Sequence, residues 1–335
     1  MNRAASVRLD LRLLPQTPPV RKDRPEREAP VVTPHEIQGI VTPPSPRFLM
    51  PAINAPAPST LANFAGLDFA NFGAGHPPDT VGDVGPNHYI QAVNTSIGVY
   101  NKTGTRLAAF TFDTFMSQGH FGNLCDTNNF GDPVVLYDTF EDRWVITDFA
   151  FRLDGGGNVI SPPGSFQCFA VSRTGDPIAG GWNFYSVHIT DALNDYPKFG
   201  IWPDGIYMSA NMFGFPATGS FQGTRVWALN KAQMYAGAPS IQVLQFTPPA
   251  SEFTLLPSNA RLQAGTPPAG SPNYFATVFN FSNAISFYKF HVDWNSISLS
   301  SLTGPFLTIA PDSWTIPPDT VPAQGGTPTT RSPSC

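Results

Sequence analysis

The sequence predicts an all-β protein of the β-propeller class, built from four-stranded antiparallel blades. A corner of Gly, Asp and Pro residues recurs along the chain. Each corner is followed by a short turn and then by an apolar strand that begins at an aromatic residue. The 335 residues include 29 Gly, 36 Pro and 27 Phe, and only 13% are charged, which favours short strands and tight corners over helices. A sandwich does not require the corner to recur, and a solenoid needs a shorter period. The corners are Gly82-Asp83-Val84-Gly85-Pro86, Gly131-Asp132-Pro133 and Asp195-Tyr196-Pro197-Lys198-Phe199-Gly200.

The two ends of the chain differ in composition from the repeats. Residues 1–61 are rich in Pro and charge without apolar periodicity, which predicts a disordered leader. Residues 64–69 are predicted to form a first edge strand. The blades are predicted within residues 62–310. Residues 311–335 are rich in Pro and Thr, which indicates a tail or the start of a truncated next blade.

The strand signals divide the blade region into about four blades of an incomplete ring. In the first, Gly104 supplies the positive φ of a hairpin turn. In the third, residues 231–236 predict a single helical turn. The repeats are spaced by roughly 55 to 70 residues, slightly longer than in compact propellers. The predicted strands are 89–94, 96–100 and 105–112 in the first blade; 133–137, 144–151, 166–172 and 182–189 in the second; 199–202, 206–211, 223–230 and 241–246 in the third; and 260–264, 273–281, 285–292 and 297–302 in the fourth.

From residue 64 to residue 309 the chain resembles a group of uncharacterised secreted bacterial proteins that look like sialidase-like propellers. The resemblance implies an extracellular setting, further repeats after residue 335 and a complete ring of about seven blades. It implies no established activity. The motifs that carry it are Pro77-Pro78-Asp79-Thr80-Val81-Gly82-Asp83-Val84-Gly85-Pro86-Asn87-His88-Tyr89, Gly131-Asp132-Pro133-Val134-Val135-Leu136-Tyr137-Asp138, Asp142-Arg143-Trp144 and Tyr196-Pro197-Lys198-Phe199-Gly200-Ile201-Trp202-Pro203-Asp204.

Carboxylates at the strand entries are the first candidates for chemistry. In a propeller these entries gather at one end of the central channel, so Asp83, Asp132 and Asp195, together with Asp79, could converge there. Converging carboxylates bind Ca²⁺ or divide into the acid and base of a glycosidase. The structural alternative, which recurrence at every corner favours, is that each Asp accepts backbone N–H bonds of its own corner.

The region around residue 126 predicts a calcium site and a disulfide bond. Asp126, Asn128 and Asp132 carry oxygens at alternate positions, which suggests a non-helical Ca²⁺ site, although Phe130 stands where another ligand is expected. The alternative is a polar turn. Cys125 and Cys168 flank the second repeat and are the candidate disulfide pair, which would indicate an oxidising compartment; two buried thiols are the alternative.

Four residues in or beside the corners are the candidate ligand-binding residues. They are His88, Arg143, Lys198 and Trp202. His88 is also explained as a hydrogen-bonded corner residue, and Trp202 as a blade-packing residue.

Several function classes lack support in the sequence. Basic residues do not cluster on any strand pattern, and the net charge is −5, so nucleic-acid binding has little support. No apolar run approaches the ~20 residues of a membrane span. A sialidase site needs a Tyr/Glu pair and three arginines, and the blade region holds only Glu141 and Glu252.

The sequence therefore predicts an extracellular propeller that binds a glycan or a protein at its strand-entry face and has no evident catalytic set. The alternatives are a glycoside hydrolase or lyase that uses the channel carboxylates, and a structural module of a larger surface protein. Calcium is the one cofactor predicted.

Overall fold

The computed structural model describes residues 1–22, 59–215, 219–261, 265–278, 284–309, 320–321 and 329–330. Within this part, four antiparallel sheets of four or five strands dominate and the helices are short, which confirms the predicted all-β class. Several strands, such as Ser165–Ser172 and Ile206–Gly214, are buried along their whole length because other parts of the chain cover both faces of their sheets.

The elements follow one another in nearly the order that the sequence predicts. The helices are α1 (Phe69–Phe72), α2 (Phe112–Met116) and α3 (Lys231–Tyr235). The strands are β1 (Arg3–Val7), β2 (Val81–Val84), β3 (His88–Val93), β4 (Ser96–Asn101), β5 (Arg106–Thr111), β6 (Asn129–Asp138), β7 (Arg143–Ala150), β8 (Ser165–Ser172), β9 (Trp182–Ile189), β10 (Ala192–Ile201), β11 (Ile206–Gly214), β12 (Phe221–Leu229), β13 (Val243–Phe246), β14 (Leu256–Pro257), β15 (Asn273–Val278), β16 (Ala284–His291), β17 (Ser301–Ile309), β18 (Thr320–Val321) and β19 (Thr329–Thr330).

Each sheet is a meander of consecutive strands, which is the blade of a propeller. The blades are β2–β5, β6–β9, β10–β13 and β14–β17, and β18 pairs with β19 separately. The first strand of each blade lies against the first strand of the next, so β2, β6, β10 and β14 are inner strands in succession. This arrangement confirms the predicted propeller architecture. The number of blades in the complete ring stays a prediction.

Apolar side chains from neighbouring blades form the cores between them. Because side chains alternate along a strand, Val135 packs toward the first blade and Leu136 toward the third. Trp144 and Trp227 are almost completely buried in the first and second of these cores. Between the third and fourth blades, Tyr207 packs against the rings of the fourth blade. The face-to-face packing fixes the order of the blades and holds the inner strands side by side.

Each inner strand is preceded or interrupted by a non-glycine residue in the left-handed region. These residues are Asp79, Asp132, Tyr196 and Thr254, with φ between 41° and 55°. The pairing of β6 and of β10 is bulged at this point. Asp tolerates this conformation better than most residues. The corners at Gly131-Asp132-Pro133 and Asp195-Tyr196-Pro197 are therefore recurring backbone bends. The corner at Gly82-Asp83-Val84-Gly85-Pro86 instead lies at the end of β2, after the bend at Asp79, so Asp83 is not at a strand entry.

At the start of the chain, the structure differs from the predicted disordered leader. Strand β1 pairs antiparallel with β9 and becomes the fifth strand of the second blade. Leu11 is fully buried, and the Gln16 side chain accepts a hydrogen bond from the Ala109 backbone. Sequence reasoning missed this segment because its apolar residues are too few to show a period. The rest of the predicted leader, residues 23–58, lies outside the described residues.

Three other boundaries also differ. Residues 64–69 contain no strand, and Phe69 instead begins α1, whose N-cap is Asp68. The inner strand of the fourth blade is β14 rather than residues 260–264, of which 262–264 lie outside the described residues. Residues 297–299 form a 3-10 turn, and β17 follows it.

Candidate functional site

The blades present two ends, which we call the entry face and the exit face. The entry face is where the inner strands begin, and it carries Asp79, Asp132 and Asp195. The exit face is where each inner strand turns into the second strand, and it carries His88 and Arg143. The sequence-predicted candidates are therefore divided between opposite ends of the molecule.

The entry face is organised around Lys198. Its ammonium lies 3.5 Å from the ring centroid of Tyr196, a cation–π contact. Asp132, Asp79 and Asp195 interact electrostatically with the same ammonium. Burial lowers the pKa of Lys198, and these three carboxylates oppose that effect. The structure thus brings carboxylates of three successive blades to one lysine.

Hydrogen bonds between blades hold this cluster in place. The Asp132 backbone N–H donates to Oδ1 of Asn94 at 3.0 Å, and the Tyr196 N–H donates to Oδ2 of Asp132 at 3.1 Å. The Asn94 amide also donates to Oδ2 of Asp79 at 2.7 Å. Asp132 therefore links the second blade to the third, because its carboxylate accepts a hydrogen bond from the neighbouring blade.

Asp83 lies further along the inner strand and is paired with Arg261. The guanidinium donates to both carboxylate oxygens, at 3.0 and 2.5 Å, and Oδ2 also accepts the Tyr137 N–H at 2.7 Å. One carboxylate thereby joins the first blade to the second and to the fourth. The planar, two-pronged geometry is the strong form of an ion pair.

We expect Arg261→Met to lower the free energy of unfolding by about 1.5 to 3 kcal/mol, the usual contribution of hydrogen bonds to a charged group. The reason is that Asp83, whose side chain is only 11% exposed, would lose its counter-ion. Urea unfolding measures the change. Arg225→Met is the control, because its partner Asp191 is 57% exposed and an exposed pair contributes below about 1 kcal/mol. Equal losses in the two variants would contradict the role given to Arg261.

The remaining predicted ligand-binding residues lie on the exit face. His88 lines an open cleft of about 440 Å³ together with Asp142 and Asp176, and burial lowers its pKa. Arg143 donates to the carbonyls of Glu141 and Asp142 in its own turn. The Trp202 indole N–H donates to the Ser271 carbonyl at 3.0 Å. These contacts give Arg143 and Trp202 structural roles and do not bring either residue to Lys198.

The residues predicted to bind calcium engage different partners. Asp126 accepts the N–H groups of Phe121 and Gly122, at 2.9 and 2.8 Å, as a turn cap does. Asp132 belongs to the entry face, as described above. The Ca²⁺ site at Asp126, Asn128 and Asp132 therefore stays a prediction. A rise in melting temperature with millimolar Ca²⁺ that Asp126→Asn abolishes would establish it.

The predicted disulfide is confirmed. Cys125 and Cys168 are bonded, with their Cα atoms 5.8 Å apart, and both are fully buried. Cys125 lies in a short 3-10 turn and Cys168 on β8, so the bond fastens the loop before β6 to the second blade.

Sequence reasoning missed two buried polar pairs. Tyr288 donates to Glu252 at 2.7 Å, and both residues are buried. Lys231 pairs with Asp138 at 2.9 Å, and neither side chain is more than 2% exposed. The partners in each pair lie 36 and 93 positions apart, and no local pattern indicates such a separation.

No family of known proteins matches the chain, and no curated protein is similar to it. Among solved structures, an exo-β-1,3-galactanase from Phanerochaete chrysosporium has a TM-score of 0.34 and 8% identity, over 69% of this chain and 49% of that one. A GH43_1 enzyme from Xanthomonas citri in complex with xylose has a TM-score of 0.32 and 12% identity, over 68% and 73%. An endo-1,5-α-L-arabinanase from Thermotoga petrophila has a TM-score of 0.29 and 10% identity, over 64% and 53%.

This chain thus spans about half the length of the galactanase. Similarity at these scores carries no argument about activity. Within the described ranges, no helix has the length and apolar character that crossing a bilayer requires.

Proposed function

We propose that the chain is an extracellular carbohydrate-binding propeller whose ligand site is the entry face around Lys198. The observation that carries the proposal is the half-buried Lys198 ammonium, which lies over the Tyr196 ring and interacts electrostatically with Asp79, Asp132 and Asp195. Each hydroxyl group of a sugar both donates and accepts hydrogen bonds. A site that offers ammonium donors beside carboxylate acceptors matches that chemistry.

The rigidity of the scaffold supports a binding role. The cluster is built on inner strands that are packed on both faces, and hydrogen bonds between Asn94, Asp132 and Tyr196 set its geometry. Side chains held in this way bind a ligand without first being ordered, which favours affinity. The disulfide between Cys125 and Cys168 supports the proposed extracellular setting, because such bonds persist in oxidising compartments.

The second candidate is a glycoside hydrolase that uses the same carboxylates. It requires two carboxyl groups about 5 to 9.5 Å apart, one of which acts as an acid. Two of the three sequence-predicted carboxylates already accept N–H bonds from a neighbouring blade, Asp83 from Tyr137 and Asp132 from Tyr196. That structural use favours binding over catalysis, and Asp195, which is 8% exposed, would be the residue to test as the acid.

The test is a binding isotherm for a panel of neutral and acidic polysaccharides. We expect Lys198→Ala to weaken binding at least tenfold, because the variant removes the central donor. Lys102→Ala is the matched control, since Lys102 lies in the exposed β4–β5 hairpin, and its isotherm should equal that of the wild type. Equal binding by both variants would place the ligand elsewhere.

Reducing-end release from the same polysaccharides separates the two candidates. Turnover that Asp195→Asn abolishes, in a variant with unchanged melting temperature, would establish the hydrolase. The pH dependence gives a further check. Because burial lowers the pKa of Lys198, binding should decline at a lower pH than that at which an exposed lysine loses its proton.

A further inference from the structure

A cleft opens at the entry end of the second blade, beside the disulfide. Its volume is about 420 Å³, which falls within the ~300–1,000 Å³ typical of ligand sites. One wall is the loop before β6, and the other is formed where β7 ends and β8 begins. Asn123 and Leu124 line the first wall, and Arg152 and Phe166 line the second. None of these residues belongs to the group around Lys198.

Contacts between side chains hold both walls of this cleft in place. The Asn123 side chain donates to Oγ of Ser186 at 3.1 Å and accepts the Cys125 N–H at 2.9 Å. On the other wall, Phe166 stacks on the ring of His188, with the ring centroids 4.2 Å apart. The disulfide fastens the first wall to β8, which begins in the second. A ligand would therefore enter a preformed cleft and would not have to order it, which favours affinity.

Arg152 is the one charged residue among the described residues that line the cleft. Its side chain is exposed, and its guanidinium has no hydrogen-bond or ion-pair partner within the part of the chain that the structure describes. By contrast, Arg225 and Arg261 each donate to both oxygens of a carboxylate. Asp126 and Asp154, the acids of the two loops that form the walls, accept N–H groups of their own loops instead. The cleft therefore offers a guanidinium that is available to a ligand.

We propose that this cleft is a second binding site, which takes a carboxylate-bearing sugar of an acidic polysaccharide, and that Arg152 recognises the carboxylate. A guanidinium donates two parallel hydrogen bonds to a carboxylate, and this fork matches the planar group. Leu124 and Phe166 supply the apolar wall that ligand clefts combine with a few polar groups. The choice of a sugar rests on the function proposed for the entry face, whereas the choice of a carboxylate rests on Arg152.

The test is calorimetric titration of the full chain with an oligogalacturonate and with its methyl ester, the same sugar without free carboxylates. Wild type should bind the free acid at least tenfold more tightly than the ester, as expected for hydrogen bonds to a charged group. Arg152→Ala should remove this preference without changing the melting temperature, because the side chain is exposed. Arg152→Lys keeps the charge but loses the fork, so it should retain only part of the preference.

Arg8→Ala is the matched control, because it removes the same charge from another exposed position that does not line the cleft, and it should keep the wild-type preference. Lys198→Ala separates this inference from the proposed function, since it should weaken the binding of acid and ester alike and leave their ratio unchanged. An unchanged ratio in Arg152→Ala, or a wild type without preference for the acid, would overturn the inference.

Two further outcomes are informative. A preference that Arg152→Ala removes, in a protein whose binding does not respond to Lys198→Ala, would support the cleft and contradict the site at Lys198. Equal binding of the oligogalacturonate by Arg152→Lys and wild type, with equally tight binding of a sulfated galactan oligosaccharide, would overturn the assignment of a carboxylate, because charge alone would then suffice.

Discussion

Replacing Lys231 by Met is expected to lower the free energy of unfolding by about 3 to 5 kcal/mol, the usual penalty for breaking a buried ion pair. Lys231 begins α3 and donates to Oδ2 of Asp138, which also accepts the Tyr235 hydroxyl, each at 2.9 Å. Without the ammonium, a carboxylate that is completely buried would lose its counter-ion. Equilibrium unfolding in guanidinium chloride measures the loss.

The matched control for this variant is Arg12→Met. Arg12 pairs with Asp10 at 2.6 Å, but the arginine side chain is 58% exposed, so solvent screens the pair. We expect the Arg12 variant to unfold within experimental error of wild type. A comparably small change for Lys231→Met would show that the buried pair contributes little, and that α3 is held to the second blade by its apolar contacts.

Removing the disulfide should produce a loss of similar size. The bond between Cys125 and Cys168 closes a segment with a sequence separation of 43. A loop of that length restricts the unfolded chain by about 4 kcal/mol in the chain-entropy account. The double variant Cys125→Ser/Cys168→Ser should therefore unfold at a clearly lower denaturant concentration.

Unfolding in the presence of a reductant distinguishes the effect of losing the disulfide from the effect of replacing the cysteine side chains. Both cysteines are fully buried, so the comparison belongs in equilibrium unfolding, where dithiothreitol reaches the sulfurs of the unfolded chain. Wild type with reductant should approach the double variant, and the double variant should not respond. Wild-type curves that coincide with and without reductant would contradict a stabilising role for the disulfide.

The blades could be predicted from the sequence because their signals are local. Each corner combines Gly, Asp and Pro within a few residues, and each strand that follows is an apolar run. The bends at Asp132 and Tyr196 are recorded in the same short segments. Strands buried on both faces need no alternation of polar and apolar residues, so the apolar run Cys168-Phe169-Ala170-Val171 is enough to predict β8.

Contacts between distant segments could not be predicted in this way. Asp83 and Arg261 are separated by 178 residues, and nothing near either residue indicates the other. The same holds for β1, which lies at the edge of the second blade because it pairs with β9, a strand much later in the chain. Local sequence fixes the shape of a blade, while the pairing between distant elements depends on the assembled ring.

The entry face was predicted in part. Asp132, Asp195 and Lys198 were all candidates from the sequence, and the structure brings them together with Asp79. The sequence also grouped His88, Arg143 and Trp202 with Lys198 as ligand-binding residues, but these three lie on the exit face. A corner motif does not indicate at which end of a strand a side chain lies. Arg152 was missed because it follows an apolar strand, where one basic residue gives no pattern.

The position of β1 sets an order for events during synthesis. Ser6 of this strand bonds to Asn183 of β9, which is separated from it by 177 residues. At roughly 5 to 20 residues per second, the ribosome makes that partner some 10 to 35 seconds later. Strand β1 therefore stays without its partner until β9 of the second blade has been synthesised.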